Sequence, residues 1–204
     1  MSDTPFPAPR LGEPYLLAPG PLTTDIRVKV AMLRDWGSWD ADFRAMTKSL
    51  CDQVVALAGQ GRDFACVPMQ GSGSYCVEAM LGSFVPRDGK VLVLANGAYG
   101  LRAAETMRYI GRAYTLIDKG DYMPPRGDEV AAALDADPAI THVIAIHCET
   151  SSGILNPVAE ISQAVASRGR KLLVDSMSAF GAVDMTGIIY EAMVSSANKC
   201  IEGV

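Results

Sequence analysis

From residue 39 the apolar positions first recur at helical spacing and then break into short runs. In WDADFRAMTKSLCDQVVALAG, Phe43, Met46, Leu50, Val54 and Leu57 share one face, which predicts a long helix stopped by Gly59 and Gly61. Ahead of it, Thr24 or Asp25 can cap a short helix through about Leu33. Beyond it the period changes. DFACVPM (63–69), KVLVLAN (90–96), RAYTLID (112–118), THVIAIHC (141–148) and KLLVDSMS (171–178) have the length and composition of strands, and YEAMVSSANK has room for one more. Between them, GSGSYCVEAMLGSFV, GLRAAETMRYIG (100–111), DEVAAALDA and PVAEISQAVASRG (157–169) predict helices. Strands that alternate with helices of this length need right-handed crossovers. The expected fold class is therefore α/β, a three-layer arrangement with a mostly parallel sheet and flanking helices.

The bulk properties narrow the function classes. The chain has 204 residues, 49% of them hydrophobic and 20% charged, enough for one sizeable core and unlike a disordered chain. A net charge of −5 with interspersed signs lacks the basic footprint of a nucleic-acid binder. No apolar run is long enough to span a membrane. Residues 1–15 read as a polar arm extended by Pro5, Pro7, Pro9 and Pro14, without the apolar core of a signal peptide, so the expected location is cytoplasmic. The five cysteines are odd in number and have no C-x-x-C pair, so they read as reduced, mostly buried thiols, and no metal site is expected.

Ligands of parallel α/β sheets bind at the C-terminal ends of the strands. Four segments there are rich in Gly, Ser, Thr and single polar residues: QGSGSY, NGAYG, HCETSSG and VDSMSAFG. In the first, Ser72, Gly73 and Ser74 open a helix, where unpaired amides and the helix dipole favour a phosphate; a plain turn with a serine N-cap is the alternative. The pattern is neither a dinucleotide fingerprint nor a P-loop. Asp175 ends an apolar strand, where it can bind a metal, act as a base, hold a protonated ring nitrogen or simply form a turn. Thr150 follows a strand in a similar position, and Tyr99 offers an aromatic face or a core side chain. Lys199, in SSANKCIEGV, is a surface charge or, in a small dry site, an amine that attacks carbonyls. Together, a phosphate cradle, an aromatic face, an acid at a strand end and a lysine meet the requirements of pyridoxal phosphate.

At this level the chain resembles the class V aminotransferases of the pyridoxal-phosphate fold type I. The resemblance runs from residue 16 to the end through LLAPGPLTT, DWGSWDADF, MQGSGSYCVEA, NGAYGLR, HCETSSGILNP, LVDSMSAFGA and SSANKCIEGV, in that order. It implies that Lys199 is the lysine that condenses with the cofactor aldehyde and shuttles the proton, and that Asp175 pairs with the ring nitrogen. It further implies that Ser72, Gly73 and Ser74 bind the phosphate, Tyr99 stacks on the ring, and Thr150 contacts the phenolic oxygen. Met177 and Asn198 would flank the cofactor, and Pro19, Gly20 and Pro21 would line the substrate pocket. DWGSWD and HCETSSGILNP point to the phosphonate branch rather than to alanine–glyoxylate or serine–pyruvate enzymes. The implied reaction is a ping-pong exchange with 2-aminoethylphosphonate as donor and pyruvate as acceptor, in a homodimer. Family members continue well beyond their lysine. Residues 16–204 are therefore expected to be the N-terminal part of an incomplete large domain with the small C-terminal domain absent. The alternatives are another class V aminotransferase, such as an alanine–glyoxylate or serine–pyruvate enzyme, and an inert fragment of the fold.

Overall fold

The structure, a computed structural model, describes residues 15–59 and 64–203. Residues 1–14 of the expected arm, Gly61 and Val204 lie outside them. Contacts gather the chain into two compact units, one running to Pro68 and resuming at Ala197, the other spanning Met69–Ser196.

The first unit holds two helices. Helix α1 (Ile26–Ala31) is capped by Asp25, whose carboxylate accepts from the Arg27 amide at 2.7 Å. Helix α2 (Ala41–Ala58) ends at Gly59, and of its residues only Ala58 is fully buried. Met46, Leu50 and Leu57 of the predicted apolar stripe are exposed. The segment expected as a strand at 63–69 is not one: residues 64–69 carry no ladder. Its apolar run has the right composition, but Pro68 lacks a backbone donor, and Val67 and Met69 lie on the surface.

The second unit is built as the alternation predicts. Helix α3 (Gly73–Phe84) is followed by β1 (Lys90–Ala95), α4 (Ala98–Tyr109), β2 (Ala113–Asp118), α5 (Gly127–Ala136) and β3 (Ile140–Ile146). A two-residue hairpin, β4 (Cys148–Glu149) with β5 (Ile154–Leu155), leads to α6 (Val158–Ala166), β6 (Lys171–Asp175) and β7 (Ala192–Val194). The main sheet has the order β2-β1-β3-β6-β7 and every pair in it is parallel. Parallel strands are covered on both faces, which is why β1, β3 and β6 are almost unbroken runs of Val, Leu, Ile and Ala. Val91, Val93, Ile144 and Leu173 pack with Val77, Leu81, Ala103 and Met107 of α3 and α4. Leu92, Leu94 and Leu172 alternate to the other face, where α6 lies against β3 and β6 and α5 against α6. The C-terminal ends of the strands thus share one edge. The hairpin went unpredicted because two-residue strands leave no period to read.

Candidate functional site

Asp175 is the last residue of β6, in register with Ile146 of β3 and Val194 of β7. Strands on both sides leave it 4% exposed. Its carboxylate accepts from the Met177 amide at 3.1 Å. Burial pushes its pKa up from 3.8 to about 6, and the nearby charge of Glu149 adds to the shift. The site is built to hold a carboxylate and supplies too little to stabilise its charge.

Ser72 stands at the N-cap of α3, but its hydroxyl makes no capping bond. The Tyr75 amide turns back to the Ser72 carbonyl at 2.9 Å. Among the described residues, the amides of Gly73 and Ser74 are left for another acceptor. Met177 Sδ lies only 2.8 Å from where a Cβ on Gly73 would stand, so the α3 start abuts the turn after β6. Arg102 donates to Ser74 Oγ at 3.3 Å and places its guanidinium 5.0 Å from the centroid of the Tyr99 ring. One arginine therefore ties the α3 start to the aromatic residue in the first turn of α4.

The turn after β3 carries more buried polar chemistry than its sequence advertises. Glu149 is fully buried and accepts from the amides of Tyr99 and Gly100, each at 3.2 Å, and from the amide and hydroxyl of Ser151 at 3.1 and 2.7 Å. Ser151 Oγ in turn accepts from the Ala98 amide at 3.0 Å. Thr150, between them, hydrogen-bonds Ser178 of the turn after β6. His147 is buried with Nδ1 2.9 Å from Ser176 Oγ, and burial pulls its pKa down. Asn96 and Asn156 exchange amide hydrogen bonds at 2.9 and 3.0 Å, closing the end of β1 onto the hairpin.

In the other unit, Lys199 Nζ donates to the Gly20 carbonyl at 3.2 Å. Gly20 has φ +141°, and a Cβ on it would stand 2.6 Å from Lys199 Nζ. The Pro19-Gly20-Pro21 turn and the lysine, far apart in sequence, are thereby neighbours.

The sequence is 73% identical over 197 residues to a 2-aminoethylphosphonate–pyruvate transaminase of Rhizobium meliloti (strain 1021), covering 95% of this chain and 51% of that protein. It is 67% identical to 2-aminoethylphosphonate–pyruvate transaminase 1 of Paraburkholderia xenovorans (strain LB400), covering 96% and 51%. The fold matches a pyridoxamine–pyruvate aminotransferase from Mesorhizobium loti with a TM-score of 0.84 at 26% identity, over 92% of this chain and 48% of that one. The chain is similar to these transaminases in sequence and to that aminotransferase in fold. An alanine–glyoxylate aminotransferase from Nostoc sp., 23% identical, shares the fold with a TM-score of 0.85 over 96% of this chain and 52% of its own. No protein-family model matches the chain. The class V resemblance holds across both units, and the chain spans about half the length of the curated relatives it matches.

Against this class V fold, the turns bearing Tyr99, Thr150, Asp175 and Met177 come to one sheet edge, with Gly73 against Met177 and Ser74 joined to Tyr99 through Arg102. Lys199, Asn198, Pro19, Gly20 and Pro21 belong to the other unit. Sequence reasoning passed over Glu149, Arg102 and His147. Arg102 looks like any helical surface cation. Glu149 did leave a signal: an acid directly after an unbroken apolar strand needs several donors to be buried. The five cysteines are half-buried rather than mostly buried. No group of three His, Cys, Asp or Glu able to hold a metal ion occurs among the described residues.

Proposed function

We propose that the protein is a pyridoxal-phosphate-dependent transaminase that moves the amino group of 2-aminoethylphosphonate to pyruvate, giving phosphonoacetaldehyde and L-alanine. The observation that carries this reading is the 73% identity, over 95% of the chain, to a protein bearing that name. The residues present fit the cofactor. Asp175 is a buried carboxylate short of a cation, the α3 start has open amides, and the buried Ser195 hydroxyl at the end of β7 has no partner among the described residues.

Pyridoxal phosphate, when bound, supplies an aldehyde and an electron-accepting ring. Ser72, Gly73 and Ser74 hold its phosphate through amides and hydroxyls at the positive end of α3. Asp175 keeps the proton on the ring nitrogen, gaining the counter-charge it lacks. Tyr99 packs on the ring face with Arg102 behind it, Thr150 donates to the phenolic oxygen, and Met177 and Asn198 flank the ring. Lys199 Nζ would be the amine that holds the cofactor and, once the substrate amine has displaced it, the base that moves the proton from the substrate carbon. The Gly20 carbonyl steadies that amine, while Pro19 and Pro21 border the substrate. Gly20→Ala is predicted to slow cofactor capture on the order of 10²-fold, because its methyl occupies the space of Lys199. The rate of borohydride-fixed cofactor incorporation measures this, and a rate equal to wild type would refute it.

The exposed Met46, Leu50 and Leu57 of α2 support a homodimer, and the five half-buried thiols support a reducing, cytoplasmic setting. In this reading residues 16–204 belong to the large cofactor-binding domain. No described helix is long and apolar enough to cross a membrane. The deciding experiment is a donor panel of 2-aminoethylphosphonate, L-alanine and L-serine with pyruvate or glyoxylate. Phosphonoacetaldehyde formed from the first donor with pyruvate is the expected result. Turnover of L-alanine with glyoxylate alone would replace this reading with the alanine–glyoxylate reaction.

A further inference from the structure

Helix α4 does not cap itself. Gly97 precedes it, and its first three amides are met by side chains about fifty residues later: Ala98 by Ser151 Oγ, Tyr99 and Gly100 by Glu149. The same Glu149 carboxylate accepts from the amide and hydroxyl of Ser151. Four hydrogen bonds thus converge on one fully buried side chain, and all four need an acceptor. The helix start is shaped around it: a Cβ on Gly97 would lie 2.5 Å from both Glu149 Cγ and Ser151 Oγ. A glutamine in this place turns an NH₂ group toward two of the donors.

The residues joined by this carboxylate are the ones assigned to two sides of the cofactor ring. Tyr99 is the second residue of α4, and its own amide is held by Glu149. Thr150 lies between Glu149 and Ser151, so its backbone is fixed by the same turn. We infer that Glu149 is a positioning residue for the cofactor site, locking the Tyr99 ring and the Thr150 hydroxyl into one register by capping α4 and closing the 149–151 turn together. The inference rests on the pyridoxal-phosphate reading above.

The test has two arms on the purified protein. In the first, amide hydrogen exchange without cofactor compares wild type with Glu149→Gln. Exchange at Tyr99 and Gly100 should quicken at least tenfold while Met107, deep in the same helix, stays unchanged; unchanged exchange at the helix start would overturn the cap. In the second, equilibrium affinity for pyridoxal phosphate is read by absorbance in Glu149→Gln, Tyr99→Ala and the double variant. Each single change should weaken binding about tenfold, and the double variant should fall well short of their product, because Glu149 acts through Tyr99. Losses that multiply in full would show a merely structural role and overturn the inference while leaving the proposed function standing. A wild-type protein that binds no cofactor overturns both. Should Glu149→Gln fail to fold, Ser151→Ala removes one partner of the carboxylate and the acceptor of the Ala98 amide. It should weaken affinity several-fold and show the same coupling to Tyr99→Ala, and full multiplication there would be equally fatal.

Discussion

In the proposed reading, Lys199→Ala is expected to abolish the cofactor adduct that borohydride fixes in the wild-type protein and to lower transamination by at least ~10⁴-fold. Two losses combine. The amine that takes the aldehyde is gone, and so is the base that moves the proton from the substrate carbon. A methyl group can do neither. Cofactor is still expected to bind, because the proposed contacts of Ser72, Gly73, Ser74, Asp175 and Tyr99 do not involve the Lys199 side chain. The expected spectrum is therefore that of free-aldehyde cofactor held by the protein, unchanged by borohydride in its attachment. A fixed adduct of wild-type yield in Lys199→Ala would assign the chemistry to another lysine.

The second large effect belongs to Asp175. In the proposed reading Asp175→Asn removes the charge assigned to the ring nitrogen, and activity should fall on the order of 10²–10³-fold. Stability without cofactor should move the other way. The folded carboxyl holds its proton to about pH 6, against 3.8 for the ordinary group. Between those values the folded protein binds a proton that the unfolded chain has lost. The stabilisation from this group is thus fully present below about pH 3.8 and is lost as pH rises through 6, a difference of roughly 3 kcal/mol. Asparagine has no proton to lose. The cofactor-free Asp175→Asn protein should match wild type near pH 4 and exceed it at pH 8, by about 1–3 kcal/mol in urea unfolding. Equal destabilisation at both pH values would show that Asp175 pays no burial cost.

The α/β alternation was legible because unbroken Val, Leu and Ile runs fit few places other than a parallel sheet covered on both faces. The same logic misread 64–69, where an apolar run found no ladder: a strand is defined by its partner, and composition is silent about partners. Asp175 was legible as an acid ending an apolar strand. Glu149, three residues past the end of β3, was missed, because its meaning lies in donors supplied from α4, some fifty residues away. Arg102 and the Gly20–Lys199 contact were hidden for the same reason. Residue type marked the candidate groups, while the contacts around them became visible only in three dimensions.

The strand order β2-β1-β3-β6-β7 also sets a schedule for synthesis. After β1 and β2 pair, each later strand of the main sheet adds to the same growing edge in the order in which the ribosome delivers it. No strand of that sheet has to be inserted between two already paired. Nascent β1 nevertheless waits for some forty residues before β3 covers its second edge, and through that interval a run of Val and Leu is open to any passing strand. A pairing-competent edge is therefore present early in synthesis, and β3 closes the β1 edge when it emerges.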